Sequence, residues 1–492
     1  MSLEGIAAGV RAVDAVIWER LADVFAQRRS IQVAFDYLDA LSPRVRGNCW
    51  ALAEAAGHCG WWRMQGLLNR YVWDFTAARA LLAPLAAHWL TCPDDDQVGP
   101  GIAIDETAAL KKGDHTFAVA PQHAGCTGKV ENCVTTVFCA YVTTSGSCWT
   151  DFDVYMPRRW ADAPARRARA GVPQDLKFAT KPELADAQIR RLAATGIPIE
   201  WTAADEVYGR STTLRATCTE LNLTSVFIVP VSFQLTPPAG TTITAAQAGA
   251  LAAAQDAFER RPCGDGSKGP RLFDWALVAT ADPHEFLLIR RLISRPDQLT
   301  FLICHVPDLT RARLPYLVTI AGRRWPVEET FKIGKDVLDF DQSQVRTYTA
   351  VNRHTVLTAL AQLRQVAARA HLTNPTPTSK PSTVTAPADR PATPPPAAPL
   401  FPPGPPALAI PLGDSPVPTH PGQPRPADLG HIKLSVAEHH RLLQLAQAKA
   451  AGLLTRAAEI FHLHWSSLRR RHQATARWHH YLRRLHQALD PG

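Results

Sequence analysis

The sequence predicts an α/β protein, and three features of the 492 residues support that fold class. Apolar residues recur at helical spacing over residues 1–98, which indicates a helical N-terminal domain. From residue 99, strand patterns alternate with helical ones. Prolines then accumulate over residues 374–430, ahead of a basic segment over residues 431–492. The predicted units are 1–98, 99–231, 232–318, 319–373, 374–430 and 431–492.

The N-terminal domain contains a helix, a glycine-bearing turn and a second helix. The first helix is predicted over residues 42–56, where Ser42 can cap it and Pro43 suits its first turn. Gly57 and Gly60 mark the turn, and the second helix covers about 61–73. This order is compatible with a helix-turn-helix reader of DNA and equally with a plain helical bundle. Four arginines could face phosphates: Arg44, Arg46, Arg63 and Arg70.

The core begins with strand patterns. Residues 134–142 and 148–155 are joined by Ser145-Gly146-Ser147, which predicts a hairpin. Helices are expected over 182–195 and 210–221, with strands before and between them. A three-stranded meander followed by alternating helix and strand is the order of an RNase H-like core.

A β-rich insertion is predicted over residues 232–318. Three strand-like runs lie in it, at 275–279, 285–290 and 300–304. Trp275 either packs in the core or stacks on an unpaired base, and its apolar run favours packing. A long helical region follows, over residues 319–373.

The proline-rich stretch over 374–430 holds 19 of the 40 prolines and is expected to be a disordered linker. The tail beyond it is predicted to be helical and carries ten Lys or Arg against three acids. Its arginines, Arg469, Arg470 and Arg471 among them, alternate with aromatic residues, which suits phosphate contact and stacking on DNA. The alternative is a solvated basic helix with no specific partner.

The net charge and the cysteines indicate the kind of partner and the cellular compartment. The net charge is +9 and the pI about 9.1, which favours a polyanion. Ten cysteines without a Cys-x-x-Cys pair predict reduced, buried thiols in the cytoplasm, with a zinc site as the alternative. We expect neither a membrane span nor a secretory signal, because no apolar run is long enough and the first residues lack a basic-then-apolar pattern.

Three acids carry the functional prediction. Asp105 and Asp205 each close an apolar, strand-like run, and Glu328 lies in a helical stretch. Two carboxylates at neighbouring strand ends and one on a packed helix can hold two divalent ions roughly 4 Å apart. The order strand, strand, helix therefore predicts a catalytic metal site for phosphodiester chemistry. Glu106, Glu206 and Glu329 adjoin the chosen acids and are the less favoured candidates.

Around these acids the sequence resembles the DDE transposases of bacterial insertion sequences. Arg324, Glu328 and Lys335 match the Arg-x3-Glu-x6-Lys signature of one branch of that family. The family has a Tyr three residues before this Arg, whereas here Ala321 occupies that position. The resemblance covers roughly residues 15–370. Further matching segments are Asp105-Glu106-Thr107 with Lys111-Lys112-Gly113, Gly128-Lys129-Val130-Glu131-Asn132-Cys133 and Asp205-Glu206-Val207-Tyr208-Gly209-Arg210.

The resemblance implies a transposase that cuts the ends of an insertion sequence and joins them to target DNA. It implies two Mg2+ ions, replaceable by Mn2+, held by Asp105, Asp205 and Glu328. It also implies double-stranded DNA partners, namely terminal inverted repeats and target DNA, and a homodimer in the synaptic complex. Such a protein would act at the nucleoid in the bacterial cytoplasm. Asn132, Tyr208 and Arg210 are implied as support for the DNA end or the active site.

The signature residues would also share one helix face. At about 100° per residue, Arg324, Glu328 and Lys335 fall within about 40° of one another. That face could hold Arg324 and Lys335 on the DNA backbone, and a plain Arg324–Glu328 surface ion pair is the alternative. Lys111 and Lys112 could approach a phosphate or lie in a solvated turn.

Two other classes of function remain open at this stage. One is a DNA-binding regulator derived from a transposase, without catalysis. The other is an RNase H-like metal nuclease that acts on RNA or branched DNA. End-specific binding and strand cleavage would separate them from a transposase.

Overall fold

One mixed sheet of ten strands forms the centre of the protein, and helices pack against it. The structure, a computed structural model, describes residues 2–41, 47–92, 98–238, 240–266, 269–373, 415–420 and 422–489. Within these ranges, none of the helices combines the length and apolarity needed to cross a membrane.

The described residues ahead of the sheet form six helices. They are α1 (Leu3–Leu21), α2 (Arg28–Ala40), α3 (Cys49–Ala55), α4 (Trp62–Asn69), α5 (Phe75–Ala80) and α6 (Leu82–Leu90). The helix predicted over 42–56 begins instead at Cys49, because the Asn48 side chain caps it by accepting from the backbone N–H groups of Trp50 and Ala51. Ser42 and Pro43, predicted to start it, lie outside the described residues.

The core strands have the predicted order. They are β1 (Gly101–Leu110), β2 (Ala120–Ala124), β3 (Lys129–Val142), β4 (Ser147–Val154), β5 (Trp201–Ala204) and β6 (Thr224–Val229). Strands β1, β3 and β4 pair antiparallel as the meander, whereas β1, β5 and β6 pair parallel. The parallel pairs need helical crossovers, and helices occupy both connections.

Five helices lie in these connections. They are α7 (Arg158–Ala161), α8 (Pro164–Arg169), α9 (Lys181–Ala194), α10 (Glu206–Gly209) and α11 (Thr212–Glu220). Thr180 and Glu183 form a capping box that fixes the start of α9, and α9 packs against β3 and β4. The predicted helix over 182–195 is therefore confirmed.

The insertion continues the same sheet. Its elements are β7 (Gln234–Leu235), β8 (Ile243–Thr244), α12 (Ala245–Ala254), β9 (Glu259–Gly266), β10 (Gly269–Ala279), β11 (Glu285–Leu292) and β12 (Arg295–His305). Strand β12 pairs antiparallel with β6, so β9–β12 extend the core sheet beyond its parallel edge. Trp275 on β10 is buried, which confirms packing as its role.

Three helices complete the core: α13 (Leu314–Arg323), α14 (Pro326–Asp336) and α15 (Tyr348–Thr373). Helix α15 is buried on nearly all sides, between α1, α2, α4–α6 and strand β4. The N-terminal helices and the sheet therefore share one apolar core.

The tail packs against this core. It consists of α16 (Val436–Ala450) and α17 (Arg456–Leu489). Helix α16 contacts α1 and α15, and α17 contacts β10. Lys449 pairs with Glu4, and Arg477 pairs with Asp265. The tail is therefore not a helix solvated on all sides. Of the predicted linker, residues 415–420 and 422–430 contain neither helix nor strand, and 374–414 and 421 lie outside the described residues.

Candidate active site

The predicted strand-end position is right for Asp205, which directly follows β5, and wrong for Asp105, which lies within β1, but the two acids are adjacent where these parallel strands stop pairing. Strands β1 and β5 run in register, with Ile104 opposite Ala204. Asp105 directly follows Ile104, and Asp205 directly follows Ala204. Asp205 follows the last residue of β5 and caps α10, since its Oδ1 accepts from the N–H of Val207 at 2.9 Å. The apolar runs that suggested these acids are thus the strands that place them.

Glu328 reaches the same region from the first turn of α14. The Nη1 of Arg324 donates to Oδ2 of Asp105 at 3.0 Å and lies 4.0 Å from Oε1 of Glu328. One guanidinium group therefore bridges two of the three predicted acids. Glu329 lines a different groove, of about 720 Å3, between α14 and α16.

The three acids influence one another electrostatically. Burial raises the pKa of Asp105 to about 8; Arg324 opposes this shift, whereas the negative charges of Asp205 and Glu328 add to it. Burial also raises the pKa of Asp205, and the neighbouring Glu106 adds to that shift. Carboxylates that repel one another in a partly buried site favour a positive partner.

Arg324 and Glu328 do not belong to one helix, which corrects the predicted arrangement. Arg324 follows the last residue of α13, and α14 begins at Pro326, which has no N–H to donate. Arg324 and Lys335 nevertheless both reach toward strand β1. Arg324 reaches Asp105 on β1, and the Nζ of Lys335 donates to the carbonyl of Ala108 on the same strand at 2.8 Å.

The two lysines after β1 differ in their surroundings. The ammonium of Lys111 donates to the carbonyls of Ser343 at 2.6 Å and Asp341 at 3.1 Å, and burial lowers its pKa to about 8. These contacts favour a structural role for Lys111 over a phosphate contact. Lys112 is exposed.

Arg210 and the tail arginines differ in exposure and in their partners. Arg210 is exposed and pairs with Glu206 one helical turn away. In the tail, Arg469 pairs with Glu438 and Arg471 is exposed. Arg470 is only 3% exposed and donates to the carbonyl of Ile432, so its prediction as a surface DNA contact is wrong. It faces inward because α17 packs on the segment before α16.

Three further residues border the acids. Glu106 accepts from the hydroxyl of Tyr208 at 2.5 Å and from Nζ of Lys181 at 2.6 Å. The sequence favours Asp105 over Glu106, and the resemblance alone implies a role for Tyr208. Lys181, at the start of α9, carried no motif signal. Burial raises the pKa of Tyr208 and the negative charge of Glu106 adds to the shift, so the hydroxyl stays protonated and donates.

The donor set fits a hard divalent cation, because all three predicted ligands are carboxylates. In the described residues, however, no three His, Cys, Asp or Glu side chains are already arranged around one point that could hold a metal ion. Arg324 instead occupies Oδ2 of Asp105. Glu328 is the most accessible of the three, with its side chain 44% exposed, so it has room to reorient.

Comparison with known proteins adds an independent line of evidence. Residues 20–262 match the family described as DDE superfamily endonuclease, and this range contains Asp105 and Asp205. The resemblance to DDE transposases of insertion sequences is confirmed. The chain is also 31% identical over 194 residues to a protein of Microchaete diplosiphon named as the probable transposase for insertion sequence element IS701. That match covers 38% of this chain and 46% of the relative, so the chain spans less than half of the relative's length.

The mixed α/β fold with one large sheet is compatible with a DDE nuclease core. Within the chain, six of the ten cysteines are buried, in agreement with the strand patterns that contain several of them.

Proposed function

We propose that the protein is a transposase that binds the ends of an insertion sequence, cleaves them and joins them to target DNA. The observation that carries this proposal is that Asp105 and Asp205 follow paired residues of β1 and β5, while Arg324 contacts both Asp105 and Glu328. The match to DDE superfamily endonucleases supports it. The strand order from β1 to β6 supports an RNase H-like core as the scaffold.

Asp105, Asp205 and Glu328 would hold two Mg2+ ions, or Mn2+ in their place. When bound, the ions would activate the attacking oxygen and stabilise the leaving oxygen. Water would attack the phosphodiester at the end of the element and release a 3′-hydroxyl, which would then attack the target DNA. Neither step needs a covalent link between protein and DNA.

Other residues would position the acids and the DNA. Arg324 holds Oδ2 of Asp105 and can neutralise charge beside the scissile phosphate. Tyr208 and Lys181 hold Glu106, which adjoins Asp105. Lys335, Lys112 and Arg210 would contact the DNA backbone near the site. The DNA partners would be the terminal inverted repeats and the target DNA. Two copies of the chain would form a homodimer in the synaptic complex.

A pair of neighbouring glutamates provides a matched test. We would substitute Glu328→Gln and, as the control, Glu329→Gln, which makes the same change in charge one residue away. Both proteins would be incubated with Mg2+ and duplex DNA carrying the repeats that flank the gene. Glu328→Gln should abolish strand cleavage, because a neutral amide is a poorer ligand for a hard cation than a carboxylate.

The same proteins separate the rival functions. Both should bind the duplex as the unsubstituted protein does, and Glu329→Gln should still cleave it. Undiminished cleavage by Glu328→Gln contradicts the assigned site. End binding without cleavage by the unsubstituted protein favours a non-catalytic regulator. Cleavage of RNA or branched DNA without preference for the repeats favours a nuclease.

A further inference from the structure

Five arginines are concentrated on α7 and α8, the two short helices after strand β4. We call Arg158, Arg159, Arg166, Arg167 and Arg169 the α7–α8 arginine cluster. Asp162 is the only acid within residues 158–169. Arg158, Arg159 and Arg169 are exposed, and the other two are half-buried. The cluster was not part of the sequence-based site.

Within the described residues, ion pairs do not neutralise the charge of the cluster. Many arginines elsewhere pair with a carboxylate, as Arg190 does with Glu220 and Arg311 with Glu200. Among the residues that the structure describes, none of the five arginines of the cluster forms such an ion pair. Burial lowers the pKa of Arg166; the positive charges of Arg159 and Arg169 add to the shift, and the negative charge of Asp114 opposes it. Cations held this close favour an anionic ligand from outside.

Contacts with the rest of the protein fix the cluster in place. The guanidinium of Arg166 lies 4.0 Å from the ring centroid of Trp160, and its Nη2 donates to the carbonyl of Asp114 at 2.7 Å. Arg167 donates to the carbonyls of Leu176 at 2.7 Å and Pro173 at 2.9 Å. Trp160 itself is buried. These bonds hold the short helices rigid, and Arg159 and Arg169 project from them.

The cluster lies beyond the same end of the sheet as the candidate acids. Strand β1 continues five residues past Asp105 to Leu110, about 17 Å at the usual rise of a strand. Arg166 contacts the loop that follows, at Asp114. On its other side, the chain leaving the cluster reaches Lys181, which binds Glu106 beside Asp105.

We propose that the α7–α8 arginine cluster binds the phosphate backbone of duplex DNA that extends away from the candidate active site. This inference rests on the proposed function, because that function places a DNA duplex at Asp105. Arginine guanidinium groups match phosphate oxygens in geometry and in charge.

The surroundings of the cluster favour DNA over an acidic protein partner. Protein interfaces are anchored by large apolar or aromatic side chains. Between residues 131 and 206, all of which the structure describes, there is no exposed large hydrophobic side chain. A rigid basic surface without an apolar anchor suits a partner recognised through its phosphates.

The test compares two double variants of the full chain. Arg159→Ala/Arg169→Ala removes two exposed charges whose side chains make none of the fixing contacts described above. Arg11→Ala/Arg20→Ala removes two exposed charges from α1 as the control. Fluorescence anisotropy would measure the affinity for a 30-base-pair duplex of unrelated sequence over a series of KCl concentrations. The plot of log affinity against log salt should lose up to about 1.8 of its slope in the first variant and stay unchanged in the second.

Each outcome decides one question. An unchanged slope in Arg159→Ala/Arg169→Ala overturns the cluster as a DNA surface, even if the protein still cleaves DNA. A lower slope supports the cluster, even if the protein never cleaves. Equal losses in both variants mean that net charge alone governs binding, which also overturns the proposal. Loss of binding to an acidic polypeptide, with DNA binding unchanged, would assign the cluster to a protein partner instead.

Discussion

Arg324 and Asp105, 219 positions apart in the chain, meet through a hydrogen bond of 3.0 Å between Nη1 and Oδ2. Asp105 is 8% exposed and lies in the middle of a strand. Burial raises the pKa of Asp105 to about 8, and the positive charge of Arg324 opposes that shift. This contact joins α13–α14 to the sheet and links the folding of the core to the chemistry of the site.

Arg324→Ala should lower the free energy of unfolding more in the absence of Mg2+ than in its presence. Without the guanidinium group, the buried carboxylate loses its partner, and we expect a loss of about 2 kcal/mol in the free energy of unfolding. A cation bound only by the folded state would restore part of that loss. Urea unfolding with and without Mg2+ measures both quantities. Arg313→Ala, at an exposed position before α13, is the control, and an equal loss in both variants would contradict the prediction.

Tyr208→Phe should reduce stability and slow cleavage without abolishing it. The substitution removes the hydroxyl that donates to Glu106, whereas Glu106 keeps its bond to Lys181. A hydrogen bond to a charged group contributes about 1.5–3 kcal/mol, and this one sits beside the candidate metal ligands. Urea unfolding and a cleavage time course provide the readouts. Tyr155→Phe is the control, because its ring contact with Lys181 survives the change; no difference between the two variants would remove Tyr208 from the site.

The sequence predicted the elements of the site better than the contacts between them. Asp105 and Asp205 were found because each closes an apolar run, and strand pairing then places them together. The Arg324–Asp105 bond, the Lys181–Glu106 bond and the inward orientation of Arg470 depend on residues between 38 and 219 positions apart. Local periodicity contains no information about such distances. The docking of the tail was missed for the same reason, since α16 meets α1 across most of the chain.

Acidification should destabilise the fold through His354. Its Nδ1 lies 2.8 Å from the hydroxyl of Tyr37 and its Nε2 2.9 Å from the carbonyl of Phe340. Nε2 therefore carries the proton and donates, and Nδ1 accepts. Burial lowers the pKa of His354 to about 4 in the folded protein. The unfolded chain gains a proton near pH 6.5, so stability is complete above that pH and falls as pH drops toward 4.

Urea unfolding between pH 7 and pH 4.5 measures this effect. The loss attributable to one such histidine approaches about 3 kcal/mol at the acid end. His354→Gln should be less stable than the unsubstituted protein at pH 7 and should lose less stability on acidification. His123→Gln, at an exposed position, is the control and should follow the unsubstituted protein. If the two variants have the same pH dependence, His354 is not the group that titrates.

Substitutions at exposed and at buried arginines of the tail should have different effects, the first on DNA affinity and the second on the packing of the tail. Arg471 and Arg483 are exposed on α17, whereas Arg470 is buried against the carbonyl of Ile432. Arg471→Ala/Arg483→Ala should lower the salt dependence of binding to unrelated duplex DNA by up to about 1.8, because two phosphate contacts are lost. Arg470→Ala should leave that slope nearly unchanged and instead loosen the tail, since the carbonyl of Ile432 loses its donor and Ile432 packs on the apolar cluster that contains Trp478. Limited proteolysis within 431–492 measures the loosening. Arg470→Ala could instead lower the slope without increasing proteolysis. That result would mean that Arg470 is not buried when the protein is bound to DNA. Helix α17 would then have to rotate or detach from the core to bind.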